Sequence, residues 1–173
     1  MTPNDEERIE GADAAQWDAV EEATELLHEE RFHEALVFLR DVIKADPKNA
    51  YAFQFLGVAL FESGEIEAAR DAYRAALNVA PKYLGARVAL SHVLRKLGDT
   101  REALKEGMAA LAQAPGDSDA LHSVGLTYLA RGDKLAAKKY LEAFLESGPE
   151  FEVATDVRAM LAEIAGGAVP QLD

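Results

Sequence analysis

The stretch from Ala50 to Tyr83 reads AYAFQFLGVALFESGEIEAARDAYRAALNVAPKY. Counted from Ala50 as offset 1, Phe53, Leu56, Gly57 and Leu60 stand at offsets 4, 7, 8 and 11, and spacings of three, one and three place them on one stripe of an α-helix. Glu62-Ser63-Gly64 then signals a turn. Ala69, Tyr73 and Ala76 follow at offsets 20, 24 and 27, a second helical stripe, and Pro81 at offset 32 ends it. Outward from this block the same register recurs. Prolines stand at 47, 81, 115 and 149, each 34 residues from the last. Twelve residues before each proline comes an alanine: Ala35, Ala69, Ala103 and Ala137. Five residues earlier still come Glu30, Gly64, Gly98 and Gly132. No single helix pair of this kind buries its apolar face alone, so the pairs are expected to stack on one another. After the last proline, Val153, Val157, Met160, Leu161 and Ile164 form one more stripe that predicts a capping helix, with Gly166 and Gly167 suited to its end.

The pattern resembles the tetratricopeptide repeat, a 34-residue helix-turn-helix unit with the signature W-x2-L-G-x2-Y, A-x3-F and P. The resemblance covers residues 16 to 149. It implies an all-α, right-handed solenoid of antiparallel helix pairs with a C-terminal capping helix. The boundaries expected are an acidic N-terminal tail at 1–13, repeats at 14–49, 50–83, 84–117 and 118–151, a capping helix at 152–166 and a tail at 167–173. Both tails are expected to be mobile. The copies depart from the pattern in places. The first has Ala19, Glu22 and Ala23 at offsets 4, 7 and 8, the third has Gly107 at offset 24 where a bulky residue is usual, and the fourth has Phe144 at offset 27 where a small one is usual. Gly107 is expected to leave an underpacked spot, so that alanine there should stabilise the protein if space exists.

The 173 residues carry 31 acidic and 18 basic side chains, a net charge of −13, which opposes binding to nucleic acid. Residues 1–49 hold 14 acids against 5 bases, whereas residues 84–117 hold 4 against 5. There is no cysteine, so disulfides, thiolate metal sites and a cysteine nucleophile are excluded. No run of 18 apolar residues occurs, so membrane insertion is not expected, and the reading is a cytoplasmic protein. No phosphate-binding loop, dinucleotide fingerprint, zinc-protease motif or nucleophile elbow is present. His92 and His122 fall on neighbouring helices, but no third ligand accompanies them. The expectation is a non-catalytic chain with no cofactor and no metal.

In a curved array the leading helices line the inner wall. Offsets 2, 5, 6, 9, 12 and 13 adjoin the core stripe and face the groove. They give Trp17, Val20, Glu21, Thr24, Leu27, His28, Tyr51, Gln54, Phe55, Val58, Phe61 and Glu62 in the first half. In the second half they give Gly85, Val88, Ala89, His92, Arg95, Lys96, Asp119, His122, Ser123, Leu126, Leu129 and Ala130. Trp17, Tyr51, Phe55, Val58 and Phe61 are expected to present an apolar surface, and His92, Arg95, Lys96 and His122 donors and positive charge. The matching partner is another protein, held by a peptide segment with apolar anchors and acidic residues. One branch of the family grips chaperone tails with a clamp at groove offsets 5, 9, 6, 2 and 6 of three consecutive repeats. Those positions here hold Val20, Thr24, Phe55, Gly85 and Ala89, which removes that ligand. The resemblance thus implies an adaptor or scaffold. The alternatives are a small acidic chaperone like those of bacterial secretion systems and a self-assembling homo-oligomer.

Overall fold

The computed structural model describes residues 14–166, and the tails at 1–13 and 167–173 lie outside the described residues. Every regular element among them is a helix: α1 Ala14–Asp18, α2 Glu21–His28, α3 Phe32–Ala45, α4 Ala50–Glu62, α5 Ile66–Val79, α6 Leu84–Lys96, α7 Thr100–Gln113, α8 Ser118–Ala130, α9 Lys134–Glu146 and α10 Phe151–Ile164. Pairs stack in order as a right-handed solenoid, with α10 packed on α9. The leading helix of the first pair is split into α1 and α2, where the apolar pattern is weakest. At the break the Val20 N–H reaches back to Trp17 O at 2.9 Å, a tighter turn than an α-helix makes.

Two local signals set the punctuation. Each leading helix ends on a residue with positive φ: Glu30 at 57°, Gly64 at 81°, Gly98 at 82° and Gly132 at 79°. The next N–H then bonds back across the helix end, Arg31 to Leu26 O at 2.9 Å, Glu65 to Leu60 O at 2.8 Å, Asp99 to Leu94 O at 2.9 Å and Asp133 to Tyr128 O at 3.0 Å. This is the left-handed helix stop that glycine permits, and Glu30 adopts it against its side chain's preference. The trailing helices end differently. Asp46, Ala80 and Ala114 each precede a proline and are pushed out of the helical region, to φ near −135°, −129° and −137°. The next leading helix is then capped from its own start: Asn49 Oδ1 accepts from Ala52 N at 3.1 Å and Asp117 Oδ1 from Ala120 N at 2.8 Å.

Small residues set the packing distance. Ala35, Ala69, Ala103 and Ala137 are all fully buried, one at the same place in each pair. The expectation of spare room at Gly107 is corrected by the structure. A Cβ there would lie 2.6 Å from Val124 Cγ2 and 3.0 Å from Ser91 Oγ, so glycine is what allows α7 to approach α6 and α8. Phe144 takes up the opposite irregularity: it is buried and stacks on His122 with ring centroids 4.5 Å apart.

The buried apolar core falls into two clusters, one from Trp17 to Ala103 and one from Leu104 to Val157. A polar seam lies where they meet. Buried Ser91 Oγ donates to Ala103 O at 2.9 Å and accepts from Ser123 Oγ at 2.9 Å. Nearby, Arg87 Nη1 holds Glu106 Oε2 at 2.6 Å in a mostly buried ion pair joining α6 to α7.

Candidate functional site

Successive leading helices touch one another, α2 with α4, α4 with α6 and α6 with α8, while trailing helices have no comparable contact among themselves. The leading helices therefore follow the shorter, inner radius. Along that inner side runs an open groove of about 1020 Å³. Of the residues expected there, Trp17, Gln54, Phe55, Val88, His92 and His122 line it, together with Gly85, Ala89, Asp119 and Ser123. Val20, Thr24, Tyr51, Val58, Phe61, Arg95 and Lys96 do not, nor do Glu21, Leu27, His28, Glu62, Leu126, Leu129 and Ala130.

For Trp17 and Tyr51 the expected apolar surface is corrected: Tyr51 is 2% exposed and Trp17 8%, and Val20, expected in the groove, is fully buried. For the two rings the cause is aromatic packing across neighbouring repeats. The Tyr51 ring meets Trp17 edge-on at 5.2 Å and Tyr83 at 5.8 Å, while Trp17 meets Phe55 at 5.9 Å. These rings form a row along the seam, and only part of the row is left to the groove. Phe55, Val58 and Phe61 are half-buried against the same core.

Sequence reasoning missed the far wall. Tyr83, Leu84 and the turn Ala114-Pro115-Gly116-Asp117-Ser118 line the groove, because the connection from α7 to α8 reaches its edge. The proline register marks that turn, but a count along leading helices alone passes over it.

The two ends of the groove differ in chemistry. At one end lie Trp17 and Phe55. At the other, burial pushes the His92 imidazole down to about 4, and the charges of Arg95, Lys96 and His122 push the same way. His122 is lowered too, mainly by burial and then by Arg95, with Asp119 opposing. Both imidazoles are therefore neutral near pH 7. Arg95 lies behind His92 and donates from Nη2 to His92 Nδ1 at 3.3 Å. Gln54 Oε1 is buried and accepts no hydrogen bond. Among the described residues no three acidic or imidazole side chains lie close enough to hold a metal ion, and no helix is long and apolar enough to cross a membrane.

Comparison with known proteins agrees with this architecture. Models of the tetratricopeptide repeat match residues 26–90, 60–124 and 118–150. No curated protein matches the sequence. Among solved structures, PilW, described as a widely conserved type IV pilus biogenesis factor, superposes with a TM-score of 0.81 at 23% identity, over 90% of this chain and 72% of its own. MamA 41-end from Desulfovibrio magneticus RS-1 superposes at 0.76 and 19% identity, over 89% and 85%. PilF of Pseudomonas aeruginosa does so at 0.78 and 22%, over 88% and 68%. At such identities these structures share the fold. With repeat models covering most of its length and a stacked array of helix pairs, the chain belongs to the tetratricopeptide repeat family, whose members are in general non-catalytic scaffolds for protein interaction.

Proposed function

We propose that the chain is an adaptor that holds a segment of another protein in its concave groove. The observation that supports this reading most is the groove itself. It is preformed, about 1020 Å³ in volume, and aromatic at the Trp17–Phe55 end, with the imidazoles of His92 and His122 beside Asp117 and Asp119 beyond. A stretch of chain with apolar anchors and acidic residues matches both ends. The net charge of −13 disfavours nucleic acid as the occupant, and no cofactor or metal enters the reading.

The experiment is capture from native lysate by the parent chain and by Phe55→Ala, with thermal melting to show that the variant is folded. Phe55 is the anchor to truncate because it is half-buried and faces the groove. Loss of a good anchor costs about 2 kcal/mol, roughly thirtyfold in affinity. Proteins retained by the parent should be lost from the variant. If both retain the same proteins equally, the groove is not the site. Light scattering on a concentration series checks the alternative of self-assembly: a mass that rises with concentration and is fixed by Phe55→Ala would make a second copy the occupant.

A further inference from the structure

The polarity of the groove's imidazole end is set by a side chain that does not line it. Arg95 Nη2 lies 3.3 Å from His92 Nδ1. A guanidinium only donates, so Nδ1 accepts and the His92 proton sits on Nε2, with no partner there among the described residues. Arg95 Nε is shut off from solvent and bonded to nothing. Among the described residues no carboxylate forms an ion pair with Arg95. A half-buried cation without a counter-charge projects positive potential through a poorly polarisable wall, and an arriving anion relieves that imbalance. The surroundings hold the imidazoles in place. Phe61 of α4 meets His92 edge-on at 5.3 Å, and His122 of α8 lies flat on Phe144. Of the charged groups near this pair, Arg95 and Lys96 on α6 are positive, exposed Asp119 on α8 acts on His122, and Asp117, whose Oδ1 accepts from Ala120 N, lines the same groove.

We propose that the His92–His122 step of the groove is a carboxylate subsite that takes one Asp or Glu side chain from an internal stretch of the bound segment, with His92 Nε2–H donating and Arg95 acting as the positioning residue. The proposal rests on the groove holding a protein segment. A side chain fits better than a chain terminus. A buried terminal carboxylate calls for a cationic fork that grips both oxygens, and the Arg95 fork is turned to His92 and away from the groove lining. A neutral N–H backed by a guanidinium suits a single carboxylate oxygen presented in passing.

The probe is a display library of random 12-residue peptides flanked on both sides by carrier sequence, selected on the full chain. A second library ends in a free carboxyl group. Selected internal peptides should carry Asp or Glu at a fixed distance from an apolar anchor. Changing that acid to Asn or Gln should weaken binding to the parent about tenfold, and less than twofold to His92→Phe or Arg95→Met. Nitrogen-15 shifts of the imidazoles give a readout independent of binding. The parent should show His92 as the Nε2–H form until the pH approaches 4, and Arg95→Met should raise its titration toward the ordinary histidine range. The subsite is overturned, with the groove reading intact, if selected peptides need Phe55 but show no acid preference, or keep the full acid penalty in both variants. It is also overturned if only free-ended peptides bind and amidation abolishes that binding. Peptides that ignore Phe55→Ala, or no peptides from either library, would remove the groove reading itself and the subsite with it.

Discussion

Gly107→Ala is expected to destabilise the protein, although it replaces a glycine in the middle of a helix. The propensity term alone favours alanine by about 1 kcal/mol. Against it stands the space the methyl group needs. Its Cβ would lie 2.6 Å from Val124 Cγ2 and 3.0 Å from Ser91 Oγ. Neither neighbour yields easily. Val124 is fully buried and branched at Cβ, so its χ1 is held in one well, and Ser91 is fixed by hydrogen bonds to Ala103 O and Ser123 Oγ. Forcing a methylene-sized group into a packed core costs roughly 1–3 kcal/mol, and disturbing the serine pair adds about 1 kcal/mol. The net loss is about 1–3 kcal/mol, which lowers the melting temperature by roughly 2–12 °C in a chain of this size. Thermal melting by circular dichroism measures it. A companion cycle with Val124→Ala locates the cause, because a clash relieved by the smaller neighbour makes the two changes couple by about 0.5–3 kcal/mol. A melting temperature at or above that of the parent would refute the reasoning. So would strict additivity in the cycle.

Glu30→Gly should do the opposite: it relieves a side chain held at φ 57° and should add about 0.5–1 kcal/mol, seen as a higher melting temperature, whereas no gain would mean that the Glu30 side chain is itself stabilising. His92 titrates near 4 when folded and near 6.5 when unfolded, so the unfolded state takes up the proton first. Its contribution to stability is therefore present above pH 6.5 and is lost as the pH falls toward 4. The parent should lose more melting temperature between pH 7 and pH 4.5 than His92→Phe does, and equal losses would assign the effect to other groups. Lys96 is exposed at the end of α6, so Lys96→Glu should slow association with acidic peptides and flatten its salt dependence with little effect on the dissociation rate; an unchanged association rate would remove Lys96 from the encounter.

The period was legible because it is written in residues that act on their own backbone. Proline bends the residue before it, glycine accepts positive φ, and alanine at Ala35, Ala69, Ala103 and Ala137 admits a close neighbour whatever surrounds it. The fate of side chains at offsets 2 and 5 was not legible in the same way. Whether Tyr51 faces water depends on Trp17 of α1 from one side and Tyr83, just before α6, from the other, both outside its own helix. Gly107 illustrates the same limit. One helix pattern cannot distinguish a gap from a fit, since Val124 and Ser91 decide it from outside α7. The wall at residues 114–118 was missed for a geometric reason, because a turn that reaches over the groove has no helical stripe to betray it.

The residue at offset 8 of each leading helix ties the packing to the site. It is Ala23, Gly57, Ser91 and Gly125 in turn, and at Gly57, Ser91 and Gly125 a neighbouring group approaches closely. In the second repeat that group is the Tyr73 ring, and the core around it is apolar and continuous with Trp17, Tyr51 and Phe55. In the third it is the Ser91–Ser123 pair, which interrupts the core between its two clusters. His92 adjoins Ser91 in sequence and His122 adjoins Ser123, so the polar end of the groove sits on the seam and its aromatic end on the first cluster. An occupant that reaches from Phe55 to His122 therefore spans both clusters and ties them across the polar seam. In a solenoid, whose stability is a sum of neighbouring interfaces, such an occupant should strengthen that junction and make the two halves unfold together.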